Sequence, residues 1–154
     1  MNLCDLLAPD GIVTSLQATS KKHALQELAA IAAERTGLDA HEIFNTLLQR
    51  ERLASTGLGR GIAVPHVKLP GLKRIYCLFA RLQQPIEFES HDGEPVDLAF
   101  LLLAPDHASG DHLKALATIS RVVREPSTID ALRNAPDAKS VYLALTRLQP
   151  SHAA

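Results

Sequence analysis

The sequence predicts a single α/β domain, a sandwich in which a mixed and mostly buried sheet of about five strands is covered by helices on both faces. Two near-continuous apolar segments, residues 74–82 and 96–104, lack the alternation typical of half-exposed strands, which favours a sheet buried on both sides. Segments with apolar residues at helical spacing precede and follow them. The chain has 154 residues, 46% hydrophobic and 21% charged, which suits one globular domain with an aliphatic core.

The first third of the chain is predicted to form one strand and two helices. Residues 11–16 are short, β-branched and alternating, as in a first strand. Apolar residues three and four apart predict a helix over 20–36, with Ser20 as its N-cap and Gly37 just past its end. A second helix, over 39–53, begins at an aspartate whose carboxylate can cap its first turn.

The middle of the chain begins with a glycine-rich loop at residues 55–61, which has three glycines within its last five residues. A short strand over 62–64 follows it. Pro65 lacks an N–H for a ladder and is expected to end this strand, which leaves His66 at its tip. A Pro70-Gly71 turn then leads into the first buried strand.

The last part of the chain is predicted to contain the central strand and three helices. A polar connection over 85–95, with one short apolar piece at 86–88, leads into the strand over 96–104, which Pro105 stops. The first helix, over about 109–124, has its apolar side formed by Leu113, Leu116, Ala117, Ile119 and Val123.

A shorter helix should open at Pro126 and Ser127, with Asp130 completing a capping box. Asp137 should cap the last helix, which bears Val141, Leu143, Ala144 and Leu148. The domain is expected to span 3–148, followed by a flexible tail over 149–154.

Composition excludes several classes of function. The net charge of -1, from 16 basic and 17 acidic residues, and the absence of Trp argue against a dedicated nucleic-acid binder. The two cysteines, Cys4 and Cys77, form neither a CxxC pair nor a disulfide framework, which fits a reducing compartment. The sequence shows neither a bilayer-spanning segment nor a secretory leader, so we expect a cytoplasmic protein that is not embedded in a membrane.

The glycine-rich loop does not match the common nucleotide-binding motifs. Those motifs need a strand before the glycines and a helix after them, whereas here the predicted order is reversed. A G-x-S-x-G nucleophile elbow is also absent from the sequence.

Among the seven histidines, His66 is the leading candidate for a reactive residue. It lies where a buried strand is predicted to end, which is a common place for ligand chemistry in open α/β sheets. The surrounding backbone amides, the hydroxyls of Ser55 and Thr56, and Arg50 at the preceding helix end are groups that bind anions. A neutral imidazole in such surroundings suits a nucleophile that accepts a phosphoryl group. The alternative is an ordinary surface histidine.

His112 is the second candidate, because it lies in the first turn of a predicted helix, where the helix dipole favours a neutral ring and a nearby anion. The alternative is a capping or surface role. Together with Asp106, His107 and Asp111 it could in principle ligate zinc, but such residues are common at helix starts for capping, so we expect no metal. Four other histidines, His23, His41, His91 and His152, are expected to be solvated.

The string RERLASTGLGRGIAVPH, residues 50–66, resembles the phosphorylation-site region of the enzyme IIA proteins of the bacterial phosphoenolpyruvate-dependent phosphotransferase system, in the mannitol/fructose class. With the Pro85-Ile86 and Pro95-Val96-Asp97-Leu98 stretches downstream, the chain is most similar to the nitrogen-related members of that family. The resemblance covers nearly the whole chain. The family usually has a small residue after the Pro-His pair, whereas this chain has Val67.

The resemblance implies that His66 accepts a phosphoryl group from a small HPr-like carrier protein, without a cofactor. It implies that His112 is a second, supporting histidine of the active site and that Arg50 stabilises the phosphoryl group. Ser55 and Thr56 match the motif's hydroxyl residues and are expected to bind the phosphoryl group. Apolar residues flanking the loop, Leu58, Val67 and Leu69, are expected to form the docking surface for partners.

Three functions remain open from the sequence. The first is a phosphohistidine carrier with a regulatory output, whose phosphorylation state is read by target proteins such as transporters or sensor kinases. The second is a sugar-specific IIA component that passes the phosphoryl group to a IIB domain for fructose or mannitol uptake. The third is a non-enzymatic regulatory binding module in which His66 is only structural.

Overall fold

The computed structural model describes residues 1–107 and 109–147, except the side chains of 109 and 147; the predicted tail over 149–154 and the predicted core position 148 lie outside the described residues. Six helices and six strands are present in these ranges. The helices are α1 (Leu3–Leu6), α2 (Lys21–Thr36), α3 (Ala40–Leu53), α4 (Ser109–Val122), α5 (Pro126–Asn134) and α6 (Ala138–Arg147). The strands are β1 (Ile12–Leu16), β2 (Gly57–Gly59), β3 (Ile62–Ala63), β4 (His66–Leu69), β5 (Tyr76–Ile86) and β6 (Val96–Pro105).

One mixed six-stranded sheet organises the fold, with helices on both faces as predicted. The strand order is β1-β5-β6-β3-β2, and β4 also pairs with β6. β6 is therefore the central strand, antiparallel to β5 on one side and parallel to β3 and then β4 on the other. Its side chains from Leu98 to Pro105 are buried, as its uninterrupted apolar sequence predicts.

Two hydrophobic clusters fill the space between the sheet and its helices. On one face α2 and α3 cover the sheet through residues such as Leu25, Leu28, Ile43 and Leu47. On the other face α4, α5, α6 and the short α1 surround a tilted ring pair formed by Phe79 and Phe100, whose ring centroids are 5.0 Å apart. The core contains no Trp and is mainly aliphatic, as the composition indicates.

Local sequence signals give the correct ends for several helices. Ser20 accepts a hydrogen bond from the amide of His23, and Gly37 ends α2 with a φ of 79°. Asp39 accepts from the amide of Glu42, and Asp137 accepts from the amide of Ser140. The three predicted caps are confirmed. Each depends only on residues within one helical turn, so the sequence is sufficient to predict it.

The structure differs from the sequence prediction at two strands. The strand expected over 62–64 does end before Pro65, at Ala63, but His66 is not a strand tip: a further strand, β4, begins there, and the Pro65 carbonyl accepts a hydrogen bond from the amide of Leu102 at 2.9 Å. Proline removes a donor but keeps its acceptor, so pairing with β6 continues across it. The first buried strand, expected over 74–82, begins at Tyr76 and continues to Ile86, with irregular pairing between Arg81 and Ile86.

Two helix predictions are also wrong. Ser127 and Asp130 do not form a capping box, because α5 begins at Pro126 and the carbonyl of Glu125 accepts from the amides of Thr128 and Ile129. A proline at the first helical position has already fixed the helix start. In α4 the predicted core residue Leu113 is instead 67% exposed.

Arg81 provides a long-range connection between the sheet and the helical layer. From β5 its guanidinium donates to the carbonyls of Leu132 and Ala135 at 2.8 Å and to that of Thr14 at 3.1 Å. The carbonyls at the end of a helix have no partner within the helix and carry partial negative charge, so a guanidinium stabilises them well.

We expect Arg81→Met to lower the free energy of unfolding by about 2 kcal/mol, since hydrogen bonds to a charged group contribute about 1.5–3 kcal/mol each and this site is partly exposed. Urea denaturation followed by circular dichroism measures the change. Arg121→Met is a matched control at an exposed position of α4 and should be close to neutral. Equal stability of the two variants would contradict the role of Arg81.

Candidate active site

His66 is the first residue of β4 and lies beside the central strand, opposite Leu102. Side chains alternate along a strand, so His66 and Lys68 point to one face while Val67 and Leu69 point into the cluster under α2 and α3. The His66 ring is half-buried, and its Nδ1 is 2.7 Å from the carbonyl oxygen of Val64. A carbonyl only accepts, so Nδ1 carries the proton and donates. Nε2 is therefore left with a free lone pair, which is the form of imidazole that acts as a nucleophile.

His112 lies beside His66. In the sequence analysis, only the family resemblance predicts that these two histidines share one site. The two ring centroids are 5.6 Å apart and the rings are tilted by 52°. The Nε2 atom of His112 is buried, and it has no hydrogen-bond partner among the described residues. A buried polar atom without a partner is uncommon, so this nitrogen is available to a group bound between the rings.

The charge state of His112 follows from its surroundings. Burial lowers the pKa of His112, and the neighbouring His66 and Lys68 lower it further. The ring is thus neutral at pH 7 and adds no positive charge beside His66. Cys77, which pairs with Leu102 from the other side of β6, is no rival nucleophile because burial raises the pKa of its thiol to about 12.

Arg50 is in the last turn of α3, the helix that packs against β4. Its side chain is half-buried and donates to the carbonyl of Ala54 at 2.9 Å. This contact holds the guanidinium at the end of α3, where the chain turns into the glycine-rich segment.

The two hydroxyl residues of the motif bond within the protein. Ser55 donates to the carbonyl of Phe88 at 2.8 Å and accepts from the amide of Gly57 at 3.0 Å. Thr56 is buried, and its hydroxyl donates to the carboxylate of Glu51. Contact between either hydroxyl and a phosphoryl group would require one of these bonds to change.

Glu51 is a residue of the site region that sequence analysis missed. Its side chain is 2% exposed and forms an ion pair with Lys21 at 2.9 Å. A signal for it exists in the sequence: Glu51 lies four residues after Leu47 and eight after Ile43, so it occupies the buried face of α3. A charged residue on a core-facing position is almost always paired.

The glycine-rich segment is a β-hairpin, not the predicted loop. β2 and β3 pair antiparallel, and the connecting residues Arg60 and Gly61 have φ values of 58° and 84°. Turns with two positive φ values match the twist of paired strands. Gly57 is required for packing, because a Cβ at this position would lie 2.1 Å from the Oγ of Ser90.

The predicted docking surface is wrong for two of its three residues, which are buried, and stays a prediction for Leu58. Leu58 on the edge strand β2 is 51% exposed, but Val67 and Leu69 are 7% and 1% exposed and cannot contact a partner. Their pairing with the central strand turns them into the core. Three exposed apolar side chains lie on the elements that carry Arg50, the glycine-rich segment and His112. They are Leu53 at the end of α3, Leu58 on β2, and Leu113 next to His112 on α4, and we call these three the apolar rim.

The other histidines lie outside this arrangement. His41, His91 and His107 are exposed, and the side chain of His23 is 39% exposed and accepts a hydrogen bond from the amide of Thr19 at 3.2 Å. His152 lies outside the described residues.

Over residues 1–107 and 109–147 no group of three or more His, Cys, Asp or Glu side chains is placed to hold a metal ion. Nor do these ranges contain a helix with the length and apolar character needed to cross a membrane.

Comparisons with known proteins show which family the chain resembles. Residues 5–147 match the family model "Phosphoenolpyruvate-dependent sugar phosphotransferase system, EIIA 2". A "Nitrogen regulatory protein" of Bradyrhizobium diazoefficiens is 54% identical over 154 residues, covering 100% of both chains. An Escherichia coli "PTS system fructose-like EIIA component" is 35% identical over 120 residues, covering 77% of this chain and 81% of the relative.

A solved structure of a related protein has the same fold. The crystal structure of the nitrogen regulatory protein IIA-Ntr from Neisseria meningitidis superposes with a TM-score of 0.88 at 33% identity, covering 94% of this chain and 99% of that one.

We expect His112 to titrate below the usual histidine pKa of 6.5, because burial and two basic neighbours oppose its protonation. As the pH falls through this range the unfolded chain takes up a proton first, so His112 makes the free energy of unfolding decrease with decreasing pH. NMR titration of the ring protons measures the pKa, and Lys68→Met should raise it by removing one positive neighbour. A His112 pKa at or above 6.5 would contradict this description.

Proposed function

The chain belongs to the EIIA 2 family of the phosphoenolpyruvate-dependent sugar phosphotransferase system, and from that membership we propose that it is a phosphohistidine carrier of the nitrogen-related branch. His66 is the residue that accepts the phosphoryl group. The observation that carries this assignment is the bond from Nδ1 of His66 to the carbonyl of Val64 at 2.7 Å, which leaves Nε2 unprotonated and ready to attack.

The proposed reaction is a phosphoryl transfer between two imidazoles. The lone pair on Nε2 of His66 attacks phosphorus, the bond from phosphorus to the carrier's ring nitrogen breaks, and its electron pair stays on that nitrogen. No general base is needed at His66, because the attacking nitrogen has no proton to lose. Positive charge that develops on the ring is shared with Nδ1–H, where the Val64 carbonyl stabilises it. The scheme uses no metal or cofactor, and the protein mainly positions the groups.

His112 and Arg50 are proposed to stabilise the transferred group. The unpartnered Nε2 of His112 is buried beside the acceptor ring, so a hydrogen bond to a phosphoryl oxygen would satisfy it. Arg50 has a planar guanidinium that can pair with two phosphoryl oxygens, and its contact with the Ala54 carbonyl keeps it at the end of α3.

Ser55 and Thr56 are proposed to act mainly by shaping the segment before the hairpin. Their hydroxyls bond to the Phe88 carbonyl and to Glu51, and both contacts hold backbone in place. A direct hydrogen bond to the phosphoryl group remains a prediction for these two residues.

We propose an HPr-like phosphocarrier as the donor, regulatory proteins such as transporters or sensor kinases as targets, and the cytoplasm as the location. The nitrogen-related branch is favoured because identity to the nitrogen regulatory relative is 54% over the full length. The fructose-like relative, at 35%, supports the second candidate, a sugar-specific component that passes the group to a IIB domain.

The first test is phosphorylation with labelled phosphoenolpyruvate, enzyme I and an HPr-like carrier. We expect acid-labile label in the wild type and none in His66→Ala. His112→Ala and Arg50→Ala should still be labelled, but hydrolysis of the label or its return to the carrier should change, because these residues act on the transferred group. His41→Ala, at an exposed position, is the control. Label that persists in His66→Ala would show that another residue reacts, and absence of label in the wild type would favour a binding module.

The apolar rim provides a second test. Leu58→Asp and Leu113→Asp should each slow transfer from the carrier about ten-fold or more, since a charge at the centre of an apolar contact costs at least about 1.4 kcal/mol. Leu143→Asp is a matched control, because Leu143 is similarly exposed but lies on α6, which packs against β1. Stopped-flow transfer rates measure the effect. Unchanged rates in both rim variants would exclude the rim as the docking surface.

A further inference from the structure

A continuous series of hydrogen bonds connects a buried ion pair to the ring of His66. It runs from Lys21 to Glu51, from Glu51 to Thr56, from the Thr56 carbonyl to the Val64 amide, and from the Val64 carbonyl to the ring. We propose that Glu51 is a positioning residue that, through Thr56 and Val64, fixes the tautomer and orientation of His66. This proposal rests on His66 being the phosphoryl acceptor.

Both carboxylate oxygens of Glu51 accept hydrogen bonds from Thr56. Oε1 accepts from the backbone amide of Thr56 at 3.1 Å and lies 2.9 Å from the ammonium of Lys21. Oε2 accepts from the hydroxyl of Thr56. With one bond to the amide and one to the side chain, Glu51 restricts the position of the Thr56 residue more than a single bond would.

The position of Thr56 in turn restricts Val64 through the next peptide group along the chain. The carbonyl of Thr56 accepts from the Val64 amide at 3.0 Å, across the base of the hairpin formed by β2 and β3. The direction of the Val64 carbonyl therefore depends on where Thr56 is held. That carbonyl is the acceptor for Nδ1 of His66.

The tautomer matters because only one form of the ring reacts. With the proton on Nδ1, Nε2 has the lone pair needed for attack; with the proton on Nε2, it does not. If the Val64 carbonyl turns away, Nδ1–H loses its acceptor and the balance moves toward the unreactive form. Glu51 touches neither the ring nor the phosphoryl group, so its effect on the reaction is indirect.

Lys21 makes this arrangement possible at a buried site. Its ammonium neutralises the carboxylate of Glu51 and lies 4.9 Å from the ring centroid of Phe88. It also contacts Glu89 at 3.2 Å, but the side chain of Glu89 is largely exposed and makes no bond to Thr56. Glu89 is therefore a suitable control, because it shares the lysine without taking part in the series.

Four variants test the proposal. Glu51→Gln keeps the size of the side chain but removes its charge. Thr56→Val removes only the hydroxyl bond, and Thr56→Ser retains it. Glu89→Gln neutralises the exposed partner of Lys21. Circular dichroism and melting temperature establish folding, and Thr56→Val keeps the test valid if Glu51→Gln does not fold.

The first readout is the tautomer of His66, measured from the ¹⁵N chemical shifts and couplings of histidine-labelled protein. The wild type should show protonated Nδ1 and unprotonated Nε2. Glu51→Gln and Thr56→Val should show an increased fraction with protonated Nε2. Thr56→Ser should restore the wild-type signature, and Glu89→Gln should leave it unchanged.

The second readout is the rate of phosphoryl transfer from the carrier. It should fall about ten-fold or more in Glu51→Gln and Thr56→Val, and Thr56→Ser should recover most of the loss. Wild-type tautomer signals in folded Glu51→Gln and Thr56→Val would overturn the proposal, whether or not the rate falls. If the wild type is not phosphorylated at all, the proposed function fails, while the NMR readout still decides whether Glu51 controls the ring.

Discussion

The arrangement around His66 depends on the pairing of the central strand β6 along both of its edges. Its backbone is buried, so its amides and carbonyls must be bonded to neighbouring strands. β5 satisfies one edge, and β3 and β4 in succession satisfy the other. The register places His66 opposite Leu102 and directs the alternate residues Val67 and Leu69 into the core. The position of His66 is thus a consequence of burying the sheet.

Charged side chains hold the elements around this sheet through backbone carbonyls. Arg60, in the turn of the hairpin, donates to the carbonyls of Val123 and Arg124 at the end of α4. Arg133 pairs with both oxygens of Asp97 and also donates to the carbonyl of Arg60. The turn is therefore anchored from two sides, and Gly61 has no room for a side chain because a Cβ would lie 2.2 Å from the Arg133 guanidinium. The tip of the hairpin is thus held by charged side chains, and its base by the bond between Thr56 and Val64.

The chemistry of the site fits a protein with almost no net charge. The two adjacent rings are controlled by different means: the Val64 carbonyl selects one tautomer of His66, whereas burial and basic neighbours lower the pKa of His112. A phosphoryl group between them would bring negative charge next to His112 and oppose that lowering. The charge on His112 would then be linked to the phosphorylation of its neighbour. A near-zero net charge argues against extended polyanions as ligands, but it does not prevent a few local donors from binding one phosphoryl group.

The sequence by itself determined the features that depend on neighbouring residues. Capping side chains gave the starts of α2, α3 and α6, the long apolar segment gave the central strand, and the 50–66 motif identified the family. Tertiary structure decided what depends on distant partners: the pairing of β4 beyond Pro65, the exposure of Leu113, and the contact between His66 and His112. The pairing of Glu51 belongs to the second group: its place on the buried face of α3 can be read from the sequence, but a carboxylate is stable there only when folding brings Lys21 and Thr56 to it.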